Sequence, residues 1–152
     1  MDFDKIIFPV DLSETTNQTV PYVRSMAHKL KAKIDILYVI RGLEFYTEAN
    51  RFLSGTNNLE SIIEYGQKVI DDFRIMHFKD FPDTEAFVIT DGVEAISEHV
   101  GQNGGKMIIM GMRGSAPRKQ YIFGSVADHV ITSASVPVMI VNTFQGDTWD
   151  ES

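Results

Sequence analysis

Five short apolar runs dominate the hydrophobic pattern of the chain. They are nearly continuous rather than alternating, and Ile, Val and Phe are frequent in them. They span Lys5–Val10, residues 34–39, Glu85–Ile89, residues 107–110 and Val138–Val141. Continuous runs of this length are typical of strands that are covered on both faces, as in a parallel sheet.

The segments between the runs have apolar residues at helical spacing. These segments cover residues 19–30, 57–78, 93–100 and Ser125–Ser133. Regular alternation of strands and helices predicts an α/β fold with right-handed crossovers, that is, an open doubly wound parallel sheet of five strands with helices on both faces. Pro21 interrupts the first helical pattern, so we expect that helix either to start near Thr19 or to be kinked.

A chain of 152 residues has room for one domain with one sizeable core. We assign residues 1–143 to a single α/β domain and residues 144–152 to an acidic, frayed C-terminal tail. Residues 41–56 have little periodicity and form a long connection, which indicates a mobile or functional loop.

Composition excludes several classes of function. The net charge of −7 is unfavourable for nucleic-acid binding, where Lys and Arg neutralise phosphates. No apolar stretch is long enough to span a membrane. The N-terminus has acids before a short apolar run, unlike a secretory signal, so we expect a cytoplasmic protein. The chain has no cysteine, which excludes disulfides and thiol chemistry.

Candidate chemistry lies after the strands, because open α/β sheets bind ligands beyond the carboxyl ends of their strands. Asp11 follows the first strand, and Val39 ends the second. The segment after the fourth strand, residues 111–125, is the richest in the chain and reads GMRGSAPRKQYIFGS.

That segment has the features of a phosphate cradle. Gly111 and Gly114 allow a tight turn and close backbone approach, and Gly124 precedes a helix whose N–H groups favour anions. Ser125 can cap the helix or donate to a phosphate oxygen. The cations between these points are Arg113, Arg118 and Lys119. Each residue alone is common in turns and loops, but one phosphate site would use them all.

At these residues the chain resembles the universal stress protein family. Gly111-x2-Gly114-x9-Gly124-Ser125 matches the family's nucleotide-binding signature G-x2-G-x9-G-[ST]. Pro9-Val10-Asp11-x-Ser13 matches its first strand and aspartate, and Ser135-Val136-Pro137-Val138 matches the entry to its last strand. Glu94 departs from the family, which often has a proline at that position.

The resemblance implies a strand order of 3-2-1-4-5 and a homodimer in which the Val138–Val141 strands pair antiparallel. Pairing would also protect an apolar edge strand. In ATP-binding members the residues equivalent to Asp11 and Val39 contact the nucleoside and the adenine. The remaining site residues implied or adjoining are Pro9, Val10, Gly111, Met112, Arg113, Gly114, Arg118, Gly124, Ser125 and Val126. The expected cofactor is ATP, with Mg²⁺ held through its phosphates.

Other chemistry finds little support in the sequence. There is no G-x4-G-K-[ST] loop and no G-x-S-x-G elbow. The four histidines lack carboxylate or histidine partners four residues on, so we predict no metal site. Three functions remain open. We favour an ATP-dependent sensor or regulatory protein whose nucleotide orders residues 112–123. The alternatives are a slow ATP hydrolase or phosphotransferase without an evident base, and a dimeric module that binds AMP or nothing.

Overall fold

A computed structural model describes residues 1–40, 59–112 and 123–143 of the chain. The elements, in chain order, are β1 (Lys5–Val10), α1 (Glu14–Leu30), β2 (Lys33–Val39), α2 (Leu59–Phe78), β3 (Glu85–Ile89), α3 (Glu94–Asn103), β4 (Met107–Gly111), α4 (Ser125–Ser133) and β5 (Val138–Val141). The loop predicted at residues 41–56 and the tail predicted at residues 144–152 lie outside the described residues.

The five strands form one parallel sheet in the order β3-β2-β1-β4-β5. Both the α/β class and the strand order are therefore confirmed. Helices α1 and α2 contribute to the apolar cluster on one face of the sheet, and α3 and α4 contribute to the cluster on the other face. The sheet is the middle of three layers.

Each face of the sheet has its own apolar core. On one face, Ile6 and Phe8 pack with Val23 of α1 and Ile70 of α2. The opposite face has a second cluster, whose members from the sheet and from α3 and α4 include Ile7, Leu37, Ile96, Ile108 and Val130. Neighbouring residues of β1 thus belong to different cores, which explains why its sequence is continuously apolar.

Of the two alternatives for the first helix, a start near Thr19 is wrong, and a kink at Pro21 stays a prediction. The helix starts at Glu14, and Pro21 lies inside it. Pro21 leaves the carbonyl of Asn17 without its usual N–H donor. Both residues are exposed, so water can satisfy that carbonyl and the helix tolerates the proline.

In the described part of the chain, no helix is both long and apolar enough to cross a membrane.

Candidate functional site

The winding of the sheet reverses between β1 and β4. The crossovers from β1 to β2 and from β2 to β3 proceed towards one edge, and the chain then returns to place β4 on the other side of β1. Connections leaving the carboxyl ends of β1 and β4 therefore go to opposite faces and leave a crevice between them. The predicted site residues follow these two strands.

Pro9 contributes to the separation of β1 and β4. Lys33 N–H donates to Asp4 O on the β2 side, and Lys106 N–H donates to Lys5 O on the β4 side. Because backbone groups alternate along a strand, Pro9 faces β4, and it has no N–H to donate. The β1–β4 pairing accordingly runs from Ile6↔Met107 to Ile7↔Ile108, whereas β1 pairs with β2 along its whole length.

Three predicted site residues lie level with one another at the carboxyl edge. The register Val10↔Tyr38 places Asp11, the next residue, beside Val39. Continuing the β1–β4 register past its last pair, Ile7↔Ile108, sets Met112 opposite Asp11 across the crevice, where the two strands no longer pair. The sheet thus brings the ends of β2, β1 and β4 together, in that order across the crevice.

A tight turn after β1 holds the Asp11 carboxylate. Its Oδ1 accepts hydrogen bonds from Ser13 N at 3.0 Å, Ser13 Oγ at 2.6 Å and Thr16 Oγ1 at 3.0 Å. Between them, Leu12 has a positive φ of 63°. This conformation is unfavourable for a leucine, and the hydrogen bonds around Asp11 compensate for it.

The backbone carbonyl of Val39 points towards the end of β1, where Asp11 lies. Lys33 N–H points to β1, so the odd residues of β2 face β1, and Val39 is among them. A continued ladder would bring the N–H of Leu12 to the Val39 carbonyl, but Leu12 has left the strand with its φ of 63°. The carbonyl of Val39 therefore points past the end of β1.

Tyr38, next to Val39, has an altered proton affinity. Burial raises the pKa of its phenol, and the nearby Tyr65 and Asp11 raise it further.

On the other side of the crevice, β4 leads into the predicted phosphate segment. Gly111 is the last residue of β4 and pairs with Val141. Met112 is 7% exposed; its N–H donates to Val141 O and its carbonyl accepts from Gly124 N–H, both at 2.9 Å. The ends of the connection after β4 are thus held together, and Gly124 lies beside the end of the strand.

Helix α4 starts at this point. Gly124 is its N-cap residue with φ −67° and ψ 166°, and Ser125 is its first residue. That φ is open to any residue, so the backbone conformation does not require glycine here. The N–H groups of residues 125–127 have no acceptor within the helix. Ser125 is exposed and Val126 is half-buried. Gly124, not Ser125, is the N-cap residue, so of the two roles expected for Ser125 only donation to a phosphate oxygen stays a prediction.

The other members of the predicted cradle, Arg113, Gly114, Arg118 and Lys119, lie outside the described residues. Among the residues that are described, no group of three or more His, Cys, Asp or Glu side chains could hold a metal ion. The donors around Asp11 already occupy its Oδ1, so a Mg²⁺ ion here would fit only with ligands that come mainly from bound phosphate.

A buried polar pair lies away from this site and was not predicted from the sequence. His99 Nε2 lies 2.8 Å from Asp35 Oδ2, and these residues are 7% and 1% exposed. Lys5 Nζ lies 3.6 Å from the same oxygen, and Asn103 Nδ2 lies 3.2 Å from His99 Nδ1. Asp35 is in the first half of β2, so the cluster lies nearer the amino ends of the strands than the carboxyl edge. Asp35 is 64 residues from His99 in the sequence, so spacing could not reveal that the two side chains meet.

Comparison with known proteins gives the family. The model of the universal stress protein family matches residues 2–142. The chain belongs to the universal stress protein family. The resemblance inferred from Gly111, Gly114, Gly124 and Ser125 is thereby confirmed.

Individual relatives are distant in sequence but alike in fold. Universal stress protein MJ0577 of Methanocaldococcus jannaschii is 24% identical over 91% of this chain and 94% of its own. A solved structure of MJ0577 matches with a TM-score of 0.74 at 23% identity, covering 96% of this chain and all of that one.

Two further solved relatives contain adenine nucleotides. A universal stress protein from Archaeoglobus fulgidus in complex with dAMP has a TM-score of 0.62 at 19% identity and covers 92% of this chain and 98% of its own. A universal stress protein in complex with cAMP has a TM-score of 0.63 at 17% identity, with coverage of 95% and 100%. At these identities the structural matches establish the fold.

Proposed function

We propose that this universal stress protein binds an adenine nucleotide, ATP by preference, in the crevice between β1 and β4, and acts as a nucleotide-dependent sensor or switch. The observation that carries the proposal is the alignment of Asp11, Val39 and Met112 at one level of the carboxyl edge. Binding of dAMP and cAMP by two relatives supports the choice of an adenine nucleotide.

The nucleoside lies over the ends of β1 and β2. The backbone of Val39 faces the space beyond β1, where it can hydrogen-bond the adenine edge. Pro9 and Val10 form the floor beside it, and Val10 and Val39 are 4% and 5% exposed. The Asp11 carboxylate accepts hydrogen bonds from the ribose hydroxyls, since carboxylate oxygens are strong acceptors.

The phosphates lie at the start of α4. The N–H groups of Ser125 and Val126 and the helix dipole favour an anion there. Gly124 has no Cβ and therefore leaves room for phosphate oxygens. Its backbone conformation does not itself require glycine, so close approach of a phosphate is a reason for a glycine at this position. Arg113, Gly114 and Arg118 complete the cradle and offset the repulsion from a net charge of −7. Mg²⁺ is bound through the phosphates.

The switch is the segment of residues 112–123. Its first residue, Met112, accepts a hydrogen bond of 2.9 Å from the N–H of Gly124, which directly follows the segment. Nucleotide contacts along this segment change the surface that it presents. We also propose a homodimer through β5. This strand is an edge of the sheet, and Val138, Met139 and Ile140 are all only partly buried in one copy of the chain.

Calorimetric titration with ATP tests the site. Gly124→Val places a branched side chain where phosphate oxygens would approach the backbone, and we expect at least about tenfold weaker binding, or 1.4 kcal/mol. Gly101→Val is the matched control, because nothing lies within 4 Å of a Cβ built on that exposed helical glycine. Equal ATP affinities for the two variants would exclude the cradle at Gly124.

A second titration tests the cations. Replacing Arg118 and Lys119 together with Gln is expected to weaken ATP more than adenosine and to reduce the salt dependence of ATP binding. Adenosine serves as the control because it lacks phosphate and reports any damage to the nucleoside end. Equal losses for the two ligands would assign these residues to a solvated loop.

Nucleotide analysis of freshly purified protein distinguishes the sensor from the alternatives. A sensor retains ATP, a hydrolase or phosphotransferase converts added ATP to ADP or AMP over time, and the dimeric module holds AMP or no nucleotide and does not convert ATP.

A further inference from the structure

A buried threonine of α1 contacts the carboxylate that we assign to the ribose. Thr16 Oγ1 donates to Asp11 Oδ1 at 3.0 Å. We propose that Thr16 is a positioning residue: its hydroxyl fixes the Asp11 carboxylate so that it can accept from the ribose hydroxyls. The inference rests on the proposed function and adds a residue that determines recognition of the sugar.

Thr16 lies in the first turn of α1 and uses its hydroxyl differently from a threonine further along the helix. Such a hydroxyl ordinarily bonds the carbonyl three or four residues back. Thr19, one turn later in α1, does this and donates to Thr15 O at 2.9 Å. Thr16 instead reaches a side chain five residues back, outside the helix. The two threonines are both buried, at 6% and 0% exposed, but only Thr16 serves Asp11.

Thr16 is also the more rigid of the two side chains that donate to Oδ1. The Ser13 hydroxyl is partly exposed and has a second partner, Thr15 Oγ1, at 2.7 Å, so its hydrogen can turn away from Asp11. A buried β-branched side chain on a helix is held in few rotamers and cannot turn to water. The hydrogen bond from Thr16 to the Asp11 carboxylate is also of the stronger, charge-assisted kind.

Holding one carboxylate oxygen orients the other. Oδ1 and Oδ2 share one plane with Cγ, so a donor that fixes Oδ1 from the buried side also fixes the direction of Oδ2. Preorganisation of this kind favours a ligand by removing the cost of ordering the side chain on binding. Loss of the Thr16 hydroxyl would therefore affect ligands that have ribose hydroxyls and spare those that lack them.

The test is a pair of titrations, with ATP and with 2′,3′-dideoxyATP, which lacks both ribose hydroxyls. Thr16→Val keeps the shape of the side chain and removes the hydroxyl; we expect ATP to bind about tenfold more weakly and dideoxyATP to change by less than about twofold. Thr16→Ser keeps the donor and should retain the wild-type preference for ATP. Thr19→Val is the matched control and should also retain it.

The outcomes separate the inference from the proposed function. An unchanged ratio of the two affinities in Thr16→Val, whether neither or both ligands weaken, would overturn the positioning role of Thr16 alone. Wild-type protein that binds no ATP would overturn the proposed function and the inference with it. Thr16→Ala removes the same hydroxyl with a good helix former, and the same shift in the ratio is expected if Thr16→Val does not fold.

Discussion

Replacing His99 with Phe should destabilise the protein by about 3 kcal/mol, because it leaves a buried carboxylate short of a donor. His99 Nε2 lies 2.8 Å from Asp35 Oδ2, and Asp35 is 1% exposed. The substitution keeps an aromatic ring against Phe87, whose centroid is 4.6 Å from that of His99. The main loss is therefore the hydrogen bond and not the packing.

The magnitude follows from what remains around Asp35. Lys5 Nζ, at 3.6 Å, is beyond good hydrogen-bond length and its side chain is 21% exposed, so it compensates only in part. A hydrogen bond to a charged group contributes about 1.5–3 kcal/mol, and breaking a buried pair costs about 3–5 kcal/mol. For a domain of this size, 3 kcal/mol corresponds to a fall in Tm of about 6–12 °C.

Denaturant unfolding followed by circular dichroism gives the free energy of unfolding for each variant. The double variant Asp35→Leu with His99→Phe removes the carboxylate together with its donor. We expect it to be less destabilised than the sum of the single variants by about 2 kcal/mol, since no buried charge is left unpaired. A loss below about 0.5 kcal/mol for His99→Phe, or strict additivity, would refute this reasoning.

Three other predictions test parts of the fold and the assembly. Arg24 donates to both carboxylate oxygens of Asp80 at 2.6 Å and lowers the pKa of Asp80 below its ordinary value of 3.8. The stabilisation is therefore present above about pH 4 and lost as the pH falls through the lowered pKa, so the difference in Tm between wild type and Asp80→Asn should shrink towards pH 2; a constant difference would contradict this. Gly105→Ala should cost about 1–3 kcal/mol by thermal unfolding, because a Cβ there would lie 2.7 Å from Ile7 Cγ1, and an unchanged Tm would show that this contact relaxes freely. Met139→Lys should shift the proposed homodimer towards monomer in light scattering, whereas a wild type that is already monomeric at micromolar concentration would exclude the dimer.

The strands were predictable because burial on both faces leaves a clear mark on the sequence. The limits of β1, β3 and β5 agree with the apolar runs, and Gly111 extends β4 by one residue. The start of α1 was misplaced because Pro21 was given more weight than the turn at Asp11 and Ser13. A helix tolerates a proline where the carbonyl that loses its donor is exposed to water, and the local sequence pattern does not show that exposure.

The site was predictable in its outline and not in its supporting contacts. Strand order and the rule for open sheets place Asp11, Val39 and Gly111 at one edge. The hydrogen bond from Thr16 to Asp11 spans a turn in which Leu12 has a positive φ, and sequence alone does not indicate that turn. The only sign of this contact in the sequence was that Thr16, a residue with a hydroxyl group, follows Asp11 by five positions.

The most direct test of the central claim is NMR mapping of ATP on the isotope-labelled protein. Amide shifts report where a ligand binds without relying on any substitution. We predict that saturating ATP shifts the amide resonances of Asp11, Val39, Gly111, Gly124 and Val126 together. The amide resonances of Lys5 and His99, which lie towards the amino ends of β1 and β2, should not shift. No shifts at millimolar ATP, or shifts that avoid the carboxyl edge between β1 and β4, would contradict the nucleotide site.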